Sequence, residues 1–116
     1  MSAKFKAPTL AEITYEYLGL HKKQSRQKDF DQLQNAFVKK LTRIRKPDEI
    51  HAALALDKAH HLPVQMKSPA YERLLIMSGR TPKLLREYAQ ELYDYGPEFI
   101  AYADRLWAEA KRLDSD

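Results

Sequence analysis

Apolar positions in this chain recur at helical spacing rather than in alternation. One stripe falls every three or four residues and consists of Phe30, Leu33, Phe37, Leu41 and Ile44. This spacing places the side chains on one face of an α-helix, with Asp29 before them as a candidate N-cap. No stretch alternates for long enough to predict a β-strand. We therefore expect an all-α fold.

Residues that start helices divide the rest of the chain. Thr9 precedes a second apolar stripe, and Glu12 follows it by three residues, which is the spacing of a capping box. Further helices are predicted where proline can occupy the first helical position, at Pro47, Pro69, Pro82 and Pro97. The helix after Pro47 is expected to run from Asp48 to about His60. Five or six antiparallel helices joined by short connections predict a small bundle.

At 116 residues, the chain has the length of one domain, so we expect a single all-α domain over residues 1–116. Residues 1–8 are expected to form a flexible tail. Residues 61–68 are expected to form an internal linker, because Pro63 and Pro69 each disfavour helix at the preceding residue. The polar segment 21–28 is either a solvated loop or a turn between two helices.

The last two predicted helices meet at Gly96 and carry small and large side chains in a regular order. Leu85, Ala89 and Leu92 lie on the first helix, and Ala103, Trp107 and Ala110 lie on the second. This C-terminal third of the chain resembles one tetratricopeptide repeat, a helical hairpin that stacks with others into a grooved solenoid. The resemblance implies a tightly packed αα-hairpin that binds another protein in a groove.

Charge is distributed unevenly along the chain. The net charge is +4, but residues 1–46 carry eleven lysines and arginines against four acids, whereas acids are in excess in residues 47–116. A basic surface of this kind can bind a nucleic-acid backbone. It can also be a solvated helix face. The residues concerned are Lys22, Lys23, Arg26, Lys28, Lys39, Lys40, Arg43, Arg45 and Lys46.

The sequence lacks the motifs that would indicate several kinds of chemistry. There is no cysteine for a disulfide or a thiolate metal site, no glycine-rich phosphate loop and no nucleophile elbow. His51, His60 and His61 with Asp57 are the one metal-like group, and we expect exposed histidines at a helix end there rather than a metal site. The chain is therefore expected to be non-catalytic, with no cofactor and no small-molecule substrate. Without an apolar run of membrane-spanning length or a secretory signal, a cytoplasmic location is expected.

These patterns together favour a helical adaptor that binds another protein, or a second copy of itself as a homodimer. The contact residues expected from the C-terminal hairpin are Leu84, Tyr88, Tyr93, Tyr95, Phe99 and Trp107. Tyrosine and tryptophan suit such a surface because they offer a large, rigid contact area. The alternative function is nucleic-acid binding by the basic N-terminal half.

Overall fold

The computed structural model describes residues 7–115, and all regular structure in that range is helical. The helices are α1 (Leu10–Leu20), α2 (Gln27–Leu41), α3 (Pro47–Ala55), α4 (Val64–Ser78), α5 (Pro82–Tyr95) and α6 (Ile100–Ser115), with a 3-10 turn at Pro97–Phe99. The all-α expectation is confirmed.

The described residues group into two compact units, residues 7–61 (the N-terminal unit) and residues 62–115 (the C-terminal unit). The single domain expected over residues 1–116 stays a prediction. The first six residues of the expected tail, 1–8, lie outside the described range.

The N-terminal unit is built on α1, which packs against both α2 and α3. Its start is the predicted capping box. The Thr9 hydroxyl accepts the Glu12 N–H at 3.1 Å, and a Glu12 carboxylate oxygen accepts the Thr9 N–H at 2.8 Å. The core of this unit lies against one face of α1. Its largest members, from all three helices, are Leu10, Ile13, Tyr17, Phe37, Leu41 and Ile50.

The start of α2 differs from the prediction, because Asp29 is not the N-cap. The helix begins at Gln27, and Asp29 accepts the Arg26 N–H at 3.2 Å from the third helical position. A carboxylate there still satisfies a free donor and complements the positive end of the helix dipole. The polar segment 21–28 is a turn that leads into the first residues of α2.

The third helix is shorter than expected and ends at Ala55 instead of about His60. The side chain responsible is Asp57, which is buried and accepts the His61 backbone N–H at 2.7 Å. A short acidic side chain that bonds the backbone of the following residues competes with continuation of the helix. Residues 56–61 therefore fold back as a loop within the N-terminal unit.

The linker predicted over residues 61–68 is wrong for most of its length. The fourth helix, α4, begins at Val64 and contains Pro69. The proline removes one helical hydrogen bond, to the carbonyl of Gln65, which is an exposed residue that can bond water instead. Met66, Ala70 and Leu74 are fully buried at a spacing of four residues. The free energy gained by burying this stripe outweighs the cost of placing a proline inside the helix.

The two C-terminal helices form the predicted hairpin. They are antiparallel: near the turn, the Tyr93 hydroxyl donates to Asp104 at 2.5 Å, and farther from the turn Arg86 forms an ion pair with Asp114. Gly96 ends α5 with φ at 151°, a backbone angle that L side chains rarely adopt.

The α6 face that packs on α5 contains Ala103 and Ala110 as predicted, but Trp107 is not part of it. The sequence pattern placed Trp107 between the buried Ala103 and Ala110, but Leu106 occupies that position with 1% exposure, and Trp107 is 42% exposed. Successive helical residues differ by about 100° around the axis, so only one of these two neighbours can face α5. The smaller leucine fits between two helices brought close by their alanines.

Candidate protein-binding groove

The six predicted contact residues of the hairpin have different environments. Leu84 and Tyr88 are 6% and 1% exposed. They belong to the core of the C-terminal unit and are not available to a partner, which corrects their predicted role. Tyr93, Tyr95 and Phe99 are half-buried.

Tyr88 belongs to a polar network between helices. Its hydroxyl donates to a Glu72 carboxylate oxygen at 2.7 Å, and it lies 2.5 Å from the Ser68 hydroxyl. Tyr102 donates to the same Glu72 oxygen at 2.6 Å, and the Tyr71 ring stacks on that of Tyr88 at 5.2 Å. Burial and the acidic neighbours raise the pKa of Tyr71 and Tyr88, so both stay neutral at ordinary pH.

The remaining aromatic side chains of the hairpin also have intramolecular partners. The Tyr95 hydroxyl donates to the Leu62 carbonyl, and its ring lies 6.3 Å from that of Phe99. The Arg86 guanidinium lies 5.9 Å from the centre of the Trp107 ring. Much of the contact capacity predicted for this hairpin is therefore used within the unit itself.

The N-terminal unit contains a groove that the sequence analysis did not identify. It runs beside α1, whose residues Ala11, Tyr15 and Gly19 line it at intervals of four, and Lys23 in the following turn continues this spacing. Leu56, in the loop after α3, forms part of the other wall. Two neighbouring hollows of about 650 and 510 Å³ have Tyr15, Gly19, Lys23 and Leu56 in common in their linings, and we call the two together the groove.

The groove exposes apolar side chains that the N-terminal unit could have buried. Tyr15 is 74% exposed and Leu56 is 39% exposed. Both lie on a concave surface, whereas isolated exposed hydrophobic residues are common and need no explanation. Tyr15 is therefore placed as a large, accessible anchor between two small residues, Ala11 and Gly19.

Packing within the N-terminal unit does not explain why residue 19 is a glycine. Gly19 lies in the last turn of α1, and glycine destabilises a helix relative to alanine, by roughly 0.5–1 kcal/mol in a helix interior. A Cβ added there would meet no atom within 4 Å, so no internal packing requires its absence. The missing side chain does keep the floor of the groove open at this point.

Charges mark the two ends of the groove. Glu12 and Glu16 lie toward the start of α1, and Lys22, Lys23 and Lys58 lie toward its end. None of these three lysines forms an ion pair with another described residue. The groove thus offers an apolar centre with an acidic end and a basic end.

The nine basic residues named from the sequence do not form one patch. Lys22, Lys23, Arg26 and Lys28 lie where α2 begins, and the other five lie at or beyond its C-terminal end. A helix of 15 residues is about 22 Å long, which keeps the two groups apart.

No group of three or more potential metal-binding side chains is found among residues 7–115. His51, His60 and His61 are exposed, as expected, and Asp57 is buried. His60 takes a left-handed backbone conformation with φ at 56°. The His61 ring lies 4.8 Å from the His21 ring, a neighbour that sequence spacing did not indicate.

A helical projection of α1 could have identified half of the groove. Ala11, Tyr15 and Gly19 form a stripe beside the core stripe of Leu10, Ile13 and Tyr17. The opposite wall could not be predicted in this way. It includes Leu56, which lies in the loop after α3, and the conformation of that loop depends on the buried Asp57. No local pattern predicts that loop.

Comparisons with protein-family models, with curated proteins and with solved structures find no match for this chain. The resemblance to a tetratricopeptide repeat stays a prediction. Among the described helices, none combines the length and the apolar character that crossing a membrane requires.

Proposed function

We propose that this chain is a non-catalytic protein-interaction module that binds an amphipathic helix of another protein in the groove beside α1. The observation that carries the proposal is the concave stripe of Ala11, Tyr15 and Gly19 facing Leu56. Binding of a helix in an apolar groove is a common mode of peptide recognition. Small residues on either side of an aromatic anchor favour a helical partner, because they let a second helix approach closely.

The length of the groove sets the length of the partner segment. The α1 side of the lining runs from Ala11 to Leu20, which corresponds to about 14 Å at 1.5 Å per residue. A partner helix of about three turns covers that distance, and its apolar residues would recur every three or four positions. Tyr15 would fill the space between two of its turns.

The charges of the groove favour one orientation of the partner. Lys22, Lys23 and Lys58 at one end attract acidic side chains, whereas Glu12 and Glu16 at the other end disfavour them. Such complementarity contributes more to specificity and association rate than to affinity. The partner helix is therefore expected to be acidic at the end that lies over the lysines.

Two other modes of protein binding are ranked below this one. A second copy of the chain could use the same groove, which would give a homodimer. The hairpin surface around Trp107 could also bind a protein, since that ring is 42% exposed. Nucleic-acid binding by the basic residues is the second candidate function, and it predicts a steep loss of binding with added salt.

Selection from a displayed library of 14-residue peptides on the full chain tests the proposal. We expect enriched peptides with apolar residues at helical spacing and acidic residues at one end. In a spectrum of ¹⁵N-labelled protein, such a peptide should shift the amide signals of α1 and of residues 56–59. Signals that move around Trp107 instead would contradict the groove and favour the hairpin.

Self-association is distinguished by sedimentation of the chain alone. A dimer that dissociates when the enriched peptide is added would identify the second copy as the occupant of the groove. A chain that stays monomeric and binds the peptide supports a separate partner protein.

A further inference from the structure

We infer that a basic pocket in the N-terminal unit, separate from the groove, binds a phosphate-bearing anion. The pocket has a volume of about 300 Å³, and four cationic side chains line it: Lys40, Arg43, Arg45 and Lys46. Buried Leu10 and Ile44 also line it. This volume has room for a diphosphate group or a short stretch of phosphodiester backbone.

The four cations outnumber the carboxylates in the lining of the pocket. None forms an ion pair with another described residue, although ion pairs do occur elsewhere in the chain. The one carboxylate in the lining is that of Glu49. Like charges gathered in a concavity repel each other and concentrate the positive potential there, and an anion relieves that repulsion.

Two helix starts add to the positive character of the pocket. Thr9 is the N-cap of α1, and Lys46 is the N-cap of α3. No side chain caps the start of α3, so the Asp48 N–H has no side-chain acceptor, whereas Pro47 lacks an N–H and the Glu49 N–H donates to the Lys46 carbonyl. Helix N-termini carry partial positive charge and bind phosphate oxygens through such donors.

The types of side chain also fit phosphate chemistry. The guanidinium groups of Arg43 and Arg45 can each donate two parallel hydrogen bonds to phosphate oxygens. Lys40 and Lys46 act as mobile point charges. The Thr9 hydroxyl accepts the Glu12 N–H, and its own proton is free to be donated to a ligand.

Titration of the full chain with inorganic pyrophosphate and with a ten-nucleotide oligothymidylate, at about 0.1 M salt, tests this inference. We expect pyrophosphate to bind with saturation and to shift the amide signals of Leu10 and Asp48. The double variant Arg43→Gln/Lys46→Gln should weaken binding by about tenfold or more, because each lost charged hydrogen bond carries a substantial part of the affinity.

The matched control is Arg26→Gln/Lys28→Gln, which removes the same net charge at the start of α2 and lies outside both the pocket and the groove. It should change the affinity by about twofold or less, since exposed charges beyond the Debye length are screened. Glu49→Gln should tighten binding by removing the one negative charge of the pocket. This gain does not depend on whether the double variant folds well.

The two probes distinguish the source of the phosphate. Tighter binding of the oligonucleotide, with the steeper dependence on salt, identifies a nucleic-acid backbone. Equal or tighter binding of pyrophosphate identifies a small phosphorylated ligand. The inference is overturned if neither probe saturates, or if the two double variants weaken binding equally, because the effect would then be one of diffuse charge.

Discussion

Gly19 and Gly96 show how differently two glycines act in one chain. Gly19 has ordinary helical geometry and open space around the position of a Cβ, whereas Gly96 has a φ of 151° and a Glu98 carboxylate oxygen 2.9 Å from that position. Gly19 therefore lowers helix stability without a packing benefit, and Gly96 is required by the turn.

We predict opposite effects of the same substitution at these two sites. Gly19→Ala should raise the free energy of unfolding by about 0.5–1 kcal/mol, and Gly96→Ala should lower it by roughly 1–3 kcal/mol. Urea denaturation followed by circular dichroism measures both. A destabilised Gly19→Ala would show that this site has a steric constraint inside the fold, and it would remove the reason for linking the glycine to a ligand.

Single residues also mark the limit of sequence-based prediction. The exposure of Trp107 and the burial of Leu106 depend on which of two adjacent apolar residues faces α5, and both choices satisfy the helical pattern. Similarly, Tyr88 looks like a surface anchor from its residue type alone. Its burial is stabilised by Ser68 and Glu72, which belong to another helix and which no local spacing identifies.

Local chemistry alone set the start of two helices. The capping box of α1 lies where it was predicted, and α5 begins at the predicted Pro82 with Thr81 as its N-cap, because each signal acts within four residues of chain. The start of α4 was mispredicted at Pro69. Its true start depends on a buried stripe whose partners are distant in sequence.

The cap of α1 gives a prediction at this scale. Thr9→Ala removes the hydroxyl that accepts the Glu12 N–H and should lower the free energy of unfolding by about 1 kcal/mol. Thr9→Ser keeps an equivalent oxygen and should restore most of that loss. Chemical denaturation of the two variants measures the difference, and equal stability of both would show that the capping box contributes nothing.

The whole chain should lose stability in alkaline solution because of tyrosines in the C-terminal unit. Partial burial and the hydrogen bond to Glu72 raise the pKa of Tyr102 from 10.0 to about 12. Between these values the unfolded chain has released a proton that the folded chain retains. The contribution of Tyr102 is therefore complete below pH 10 and is lost as the pH rises toward 12.

Urea midpoints measured at intervals from pH 8 to pH 12 test this prediction. The midpoint should fall steadily once the pH passes the pKa of the unfolded tyrosine. Tyr102→Phe should fall less steeply over the same interval, although Tyr71 and Tyr88 still contribute. Identical slopes for the two proteins would show that Tyr102 is not linked to folding.

At the level of the whole molecule, the sequence shows that residues 1–46 are basic and that residues 47–116 have an excess of acids. It does not show where the basic side chains lie in the fold. The basic residues divide between the two ends of α2, so that two residues of one group line the groove and four of the five in the other group line the pocket. The first group lies beside apolar surface, which favours a protein ligand. The second lies around two helix starts, which favours phosphate.

The most direct test of the proposed function is the affinity of a groove-selected peptide for two single variants of the full chain. Tyr15→Ala removes a side chain that is 74% exposed, and Trp107→Ala removes one that is 42% exposed, so neither should unfold the protein. We expect Tyr15→Ala to weaken binding by about 30-fold, as for an interface hot spot, and Trp107→Ala to leave it unchanged. Loss of binding in Trp107→Ala with full affinity in Tyr15→Ala would contradict the groove beside α1.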